Sequence, residues 1–214
     1  MGTNRTVQLA RRESQVYYPT FTPKFDKETK LKTRKTTAKG AGRVGSALAG
    51  MRRGTTVDNQ IRQLVRGERI RAKHAFTKHI ERFLSKFGWT PIDVQVPVWS
   101  TAHRLRTEVD LLCKDGRGNP VVCELKCGFE GYYHGVSSRM RYELARFGDS
   151  PMVQHQAQLA VTVELFRHTY GVRPRAYVLL INGATQRAYE LRAGVAALSE
   201  RIVRRIGAWE ANAV

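Results

Sequence analysis

Apolar residues follow no period over residues 1–51 and become strongly periodic from residue 55 onward, which divides the chain in two. In TTVDNQIRQLVRG, Val57, Ile61, Leu64 and Val65 recur at helical spacing and Gly67 supplies a stop, predicting a first helix. RAKHAFTKHIERFLSKFG repeats the pattern, with Ala75, Phe76, Ile80, Phe83, Leu84 and Phe87 on one face and Gly88 at the end. WTPIDVQVPVW then alternates through Ile92, Val94, Val96 and Val98, the period of a strand. Two further apolar runs, 108–113 and 120–126, flank KDGRGN, whose Asp-Gly and Gly-Asn pairs predict a β-hairpin. Ser150-Pro151 caps another helix, MVQHQAQLAVTVELFRHTYG, which ends at Gly171. A strand (RAYVLLIN), an edge strand (QRAYELR) and an amphipathic helix (GVAALSERIVRRIGAWEA) complete the pattern. Helices, three strands, a helix and more strands predict an α/β sandwich in outline.

The hairpin carries polar groups where its pattern calls for apolar ones. Asp110 interrupts the series Val109, Leu111, Leu112, and Glu124 and Lys126 lie two apart in VVCELKC. Side chains alternate across a strand, so Glu124 and Lys126 share one face and Val121, Cys123 and Leu125 the other. Folding the hairpin can bring Asp110, Glu124 and Lys126 onto one surface. Adjacent carboxylates in an apolar strand repel unless a cation lies between them, and Mg²⁺ is commonly held by one or two carboxylates plus phosphate and water. A lysine alongside can stabilise charge growing on a phosphate under attack. The plain alternative is a surface hairpin with an ordinary Glu–Lys pair.

Composition changes the picture through charge. The 214 residues carry 37 Lys and Arg against 18 Asp and Glu, a net +19, which points to a polyanionic partner and to nucleic acid first. Much of the excess lies in residues 1–52, read as a basic flexible arm in which Lys32, Arg34 and Lys35 would neutralise phosphates without reading sequence. Residues 53–214 form the predicted folded domain. No run approaches the roughly 18 apolar residues of a membrane span, and the first residues lack the apolar core of a signal peptide. Three cysteines, an odd number, argue for a reducing, intracellular compartment. The segment GFEGYYHGVSSRMRYELARFGDS follows Lys126 closely and should overhang the hairpin. In it Arg139, Arg141 and Arg146 are candidate phosphate contacts, and Tyr132 or Tyr133 a candidate base-stacking group.

At Asp110, the hairpin and Glu124-Leu125-Lys126, the sequence resembles the PD-(D/E)XK nuclease superfamily, which implies an α/β restriction-endonuclease-like core with a central mixed β-sheet flanked by helices. The resemblance implies that Asp110 and Glu124 bind Mg²⁺ (or Mn²⁺), that the Leu125 carbonyl adds a ligand, and that Lys126 helps to activate water. Gln158-Leu159, on the helix after the Glu-x-Lys strand, is similar to the RecB-like and lambda-exonuclease-like branches, found also in viruses and phages. There the glutamine is expected to orient water or the scissile phosphate. A first acidic ligand would be Asp58, in the context Arg53-Gly54-x-x-x-Asp58, or else Glu81. The implied function is a metal-dependent, exonuclease-like deoxyribonuclease of replication, recombination or repair. Its expected place is the cytoplasm or nucleus, or a virion if viral. RNA as substrate and a homo-oligomeric state stay open. The alternative is a non-catalytic nucleic-acid-binding or packaging protein that uses such a fold as a platform for its arm.

Overall fold

The computed structural model describes residues 55–127, 134–135, 138–181 and 186–212, with the side chains of the last helix described to residue 208. The proposed arm of residues 1–52 lies outside them, and so do Lys32, Arg34, Lys35, Tyr132 and Tyr133.

The first helix, α1, covers residues 55–65. The second, α2, is Ala75–Phe87, starting at the first residue of the apolar face and four residues after Arg71, where the predicted segment opens. Gln60 of α1 explains the delay. Its Nε2 donates to the Ala72 carbonyl at 2.9 Å and its Oε1 accepts from the His74 amide at 2.8 Å and the Thr77 hydroxyl at 2.7 Å. The 72–74 backbone is therefore held out of the helix. Gly88 closes α2 in the left-handed region, at φ 64°, which a residue without a Cβ adopts freely.

Strands β1 (Thr90–Ser100), β2 (Leu105–Lys114) and β3 (Pro120–Cys127) form an antiparallel meander. A small two-stranded ribbon follows, β4 (Ser138–Arg139) with β5 (Gly148–Asp149), enclosing a 3-10 turn at Tyr142–Leu144. The long helix α3 spans Pro151–Tyr170, and the Ser150 hydroxyl accepts the Val153 amide at its start. From it the chain returns as β6 (Arg175–Ile181), parallel to β3, and β7 (Gln186–Glu190), antiparallel to β6. The sheet order is β1-β2-β3-β6-β7, with β3 in the middle and β7 at an edge. A parallel pair needs a crossover, and α3 supplies it.

The predicted C-terminal helix is two helices, α4 (Ala193–Ala196) and α5 (Ser199–Asn212). The break comes from a contact distant in sequence. The Ser199 hydroxyl donates to the buried Glu164 carboxylate of α3 at 3.0 Å, and Arg167 donates to the same carboxylate at 2.6 and 2.9 Å.

The sheet buries both faces, as a sheet with a parallel crossover must. One core joins Val96, Val98, Leu112, Val122, Val178 and Leu180 to α3 and α5. The other joins Val94, Leu111, Cys113, Cys123 and Leu179 to α1 and α2. The expected alternation in β3 holds, with Val122 on the α3 side and Val121 and Cys123 on the opposite side.

Gln156 of α3 ties the end of β7 to the first core. It is fully buried; its Nε2 donates to the Glu190 carbonyl at 3.2 Å and its Oε1 accepts the Arg192 amide at 2.8 Å. Gln156→Leu should lower stability by about 2–3 kcal/mol, because two main-chain groups lose their partner. Urea denaturation measures it, and a midpoint unchanged from wild type would rule out the clamp.

Candidate active site

The turn after β2 sets the geometry. Asp115 accepts the Arg117 and Asn119 amides, each at 2.9 Å, and fixes the pairing Lys114↔Pro120. Each step back along β2 then matches one step forward along β3, as far as Leu111↔Cys123. Asp110 and Glu124 each come one residue beyond that last pair. Here the ladder ends, and the Leu125 amide donates to Asp110 Oδ2 at 2.8 Å instead of to a β2 carbonyl. A carboxylate has replaced a strand partner.

Glu124 is 2% exposed and Lys126 follows it on the α3 side, with Nζ donating to Glu124 Oε1 at 2.5 Å. Burial and the neighbouring Glu124 carboxylate push the Asp110 carboxyl from its ordinary 3.8 up to about 8, although Lys126 and the Leu125 amide pull the other way. Burial also works against the Lys126 ammonium, but Glu124 and Asp110 outweigh it and hold its pKa above the usual lysine value. Two acids and one amine thus share a water-poor space with a net negative charge when all are ionised.

Helix α3 supplies the roof. His155 is half-buried there, and burial together with the Lys126 charge lowers its pKa to about 3, so its imidazole is neutral. Gln158 lies three residues on, on the same side of the helix and half-buried; its carbonyl accepts the Thr162 hydroxyl at 3.1 Å. Gln154 turns aside, donating to Asp149 at 2.7 Å. The one sequence signal for His155 is its place one turn before Gln158.

The two candidates for the first acid separate. Glu81 on α2 is paired with Lys73 at 2.5 Å. Asp58 on α1 is exposed as a residue, yet near enough to Asp110 that its charge adds to the upward push there. Its own carboxyl is raised by desolvation, with Arg62 opposing. Leu125 is half-buried, its amide committed to Asp110. Among the described residues, no group of three or more His, Cys, Asp and Glu side chains is arranged to hold a metal ion. Of the basic candidates, Arg139 and Arg141 are exposed at the ribbon. Arg146 is tied down, donating to the Gly194 carbonyl at 2.7 Å with its guanidinium 5.1 Å from the Phe147 ring centroid.

No protein-family profile matches the chain, and no curated protein matches its sequence. Solved structures do match in part. The structure of SSO0001 is 18% identical over 59% of this chain, with a TM-score of 0.32; the chain spans only 56% of that protein's length. A candidate exonuclease from Eubacterium rectale is 13% identical over 73% of this chain and 68% of its own, with a TM-score of 0.38. Among the described residues no helix is long and apolar enough to cross a membrane.

Proposed function

We propose that the chain is a Mg²⁺-dependent nuclease that hydrolyses phosphodiester bonds, with DNA as its first substrate. One observation carries the reading: the buried Asp110 carboxyl lies close enough to the Glu124 carboxylate to be pushed upward by it, with the Lys126 ammonium beside them. A fold has no structural need for this group, since apolar residues at three such positions would cost less. The net +19 charge supplies affinity for a polyphosphate.

The donor set suits Mg²⁺ better than a transition metal. It consists of carboxylate oxygens with a backbone carbonyl nearby, and Mg²⁺ commonly takes two carboxylates and fills its remaining positions with water and substrate phosphate. Two buried acids therefore suit it. Asp110 and Glu124 would hold the ion, with the Leu125 carbonyl adjoining and Asp58 available from α1. When bound, the ion supplies Lewis-acid polarisation of the phosphate and a more acidic water. Lys126 holds positive charge against the phosphate oxygens as they gain negative charge. Gln158 orients water or the scissile phosphate from α3. The neutral ring of His155 keeps a second positive charge away from Lys126.

The test is digestion of linear and circular duplexes with Mg²⁺, Mn²⁺ or EDTA. Metal-dependent loss of DNA is expected, and a preference for free ends would mark an exonuclease. A bandshift without loss would instead support a non-catalytic binding or packaging protein. The existing Lys126–Glu124 pair, which already neutralises one acid, is the observation that favours this second reading.

A further inference from the structure

On the ribbon after β3, away from the carboxylates just described, a tyrosine is held in an unusual way. Tyr142 opens the 3-10 turn with φ 53°, a left-handed conformation that a bulky residue seldom adopts. The burial of Leu144 and the amide bonds Leu144→Arg141 (3.1 Å) and Ala145→Tyr142 (3.0 Å) hold the turn. Yet the residue is 62% exposed, more than Phe87 (39%) or Val172 (44%), the other exposed large hydrophobic residues among those described. The core gains little from it. A strained residue kept in place by its surroundings, with its side chain turned to solvent, suggests a role outside packing.

The ring is also braced. The Arg205 guanidinium from α5 lies 4.7 Å from its centroid, and the Arg205 Nε donates to both Glu143 oxygens, at 2.6 and 2.7 Å. Glu143 thereby pins the cation over the ring, while the tyrosine stays largely open to solvent. Exposed Arg139 and Arg141 precede the tyrosine, and exposed Arg201 lies one turn before Arg205 on the same side of α5. Glu143 is committed to Arg205 and Glu200 to Arg204, at 2.7 Å, so the field around the ring is positive.

We infer that Tyr142, braced by Arg205, is a stacking platform for an unpaired base of single-stranded nucleic acid, with Arg139, Arg141 and Arg201 contacting the flanking phosphates. An aromatic face beside cations suits a base and its backbone. A duplex interior presents no free base face to it, and a protein partner would call for a broader apolar surface than one ring. The inference rests on the nuclease reading for its partner class, but it concerns binding and not bond cleavage.

The test measures binding of a labelled oligothymidylate of about 20 nucleotides to the full chain in EDTA, by fluorescence anisotropy. A blunt duplex of equal length and a salt series run alongside. Tyr142→Ala should weaken single-strand binding roughly 5- to 150-fold, the range for losing one stacked base, and Tyr142→Phe should leave it unchanged. Tyr142→Gly is decisive, because glycine relaxes the backbone while removing the ring. It should lose binding to the same extent with a melting temperature no lower than wild type. Stacking is less salt-dependent than phosphate contact, so the fold-change should persist from about 50 to about 300 mM salt. Wild-type affinity in Tyr142→Gly overturns the platform, as does equal weakening of the duplex. Because no step involves cleavage, a chain that binds through Tyr142 but never cuts would refute the nuclease reading and leave this one standing. A chain that cuts with Tyr142 irrelevant would do the reverse.

Discussion

Asp110→Asn is expected to reduce metal-dependent cleavage by about 10³-fold or more, the scale of losing a charge-stabilising group at a reacting centre. Binding to the same nucleic acid in EDTA should stay within about twofold, since one neutralised acid changes a basic protein's field little. Asparagine is the informative replacement. Its carbonyl oxygen can still accept the Leu125 amide that Asp110 now accepts at 2.8 Å, so the end of the ladder keeps its shape while the charge is lost. Alanine would leave that amide without a partner and mix a folding defect into the result. Lys126→Ala should also abolish cleavage, but it strands the buried Glu124 carboxylate and needs a melting curve beside it. Turnover at the wild-type rate in either variant, measured on end-labelled duplex with Mg²⁺, would remove the proposed assignment.

The second large effect concerns stability against pH in metal-free buffer. Burial and Glu124 raise the Asp110 carboxyl from 3.8 to about 8, so the folded chain keeps a proton that the unfolded chain releases. Stability from this group is therefore present at acid pH and lost as pH rises from about 4 to about 8. At ~1.4 kcal/mol per pH unit the interval sets a ceiling of roughly 6 kcal/mol, and coupling to Glu124 and Lys126 will deliver part of it. Other groups slope differently. His103 and His155 have lowered values and lose stability as pH falls through the histidine range, and Glu164, also lowered, loses it further into acid. The difference between wild type and Asp110→Asn isolates the carboxyl. Urea melts from about pH 5 to about pH 9 should show the variant gaining on wild type as pH rises. Added Mg²⁺ should narrow that gap by stabilising wild type alone. Parallel profiles with no Mg²⁺ effect would mean that the two acids do not share one space.

Much of this centre was legible because it is local. The Asp-Gly and Gly-Asn pairs fix the turn, the turn fixes Lys114↔Pro120, and the period of two then puts Asp110 and Glu124, each one residue past the last pair Leu111↔Cys123, on the same face. Ser150, Pro151 and Gly171 likewise bound α3 where the sequence puts them, because caps act within one turn of helix. What escaped depends on partners far along the chain. No periodicity shows that Ser199 will donate to Glu164 and interrupt the last helix. Gln60 looks like one more polar residue on α1, yet it delays α2 through bonds to residues 72, 74 and 77. The separation of Asp58 from Glu81 needed the placement of α1 and α2 over the sheet, and the Lys73 pair that engages Glu81 reads in sequence as ordinary surface charge. The strained Tyr142 is invisible in a segment where every residue type tolerates a loop.

The middle position of β3 has a consequence for biosynthesis. Asp58, Asp110, Glu124, Lys126 and Gln158 all precede residue 171, but β3 is clasped on its far side by β6, through Glu124↔Val178 and Lys126↔Leu180. A ribosome-bound chain that has already emerged with every one of those side chains still lacks the strand that aligns two of them. Any bond-cutting capacity would then arise only once β6 has been made and has paired with β3.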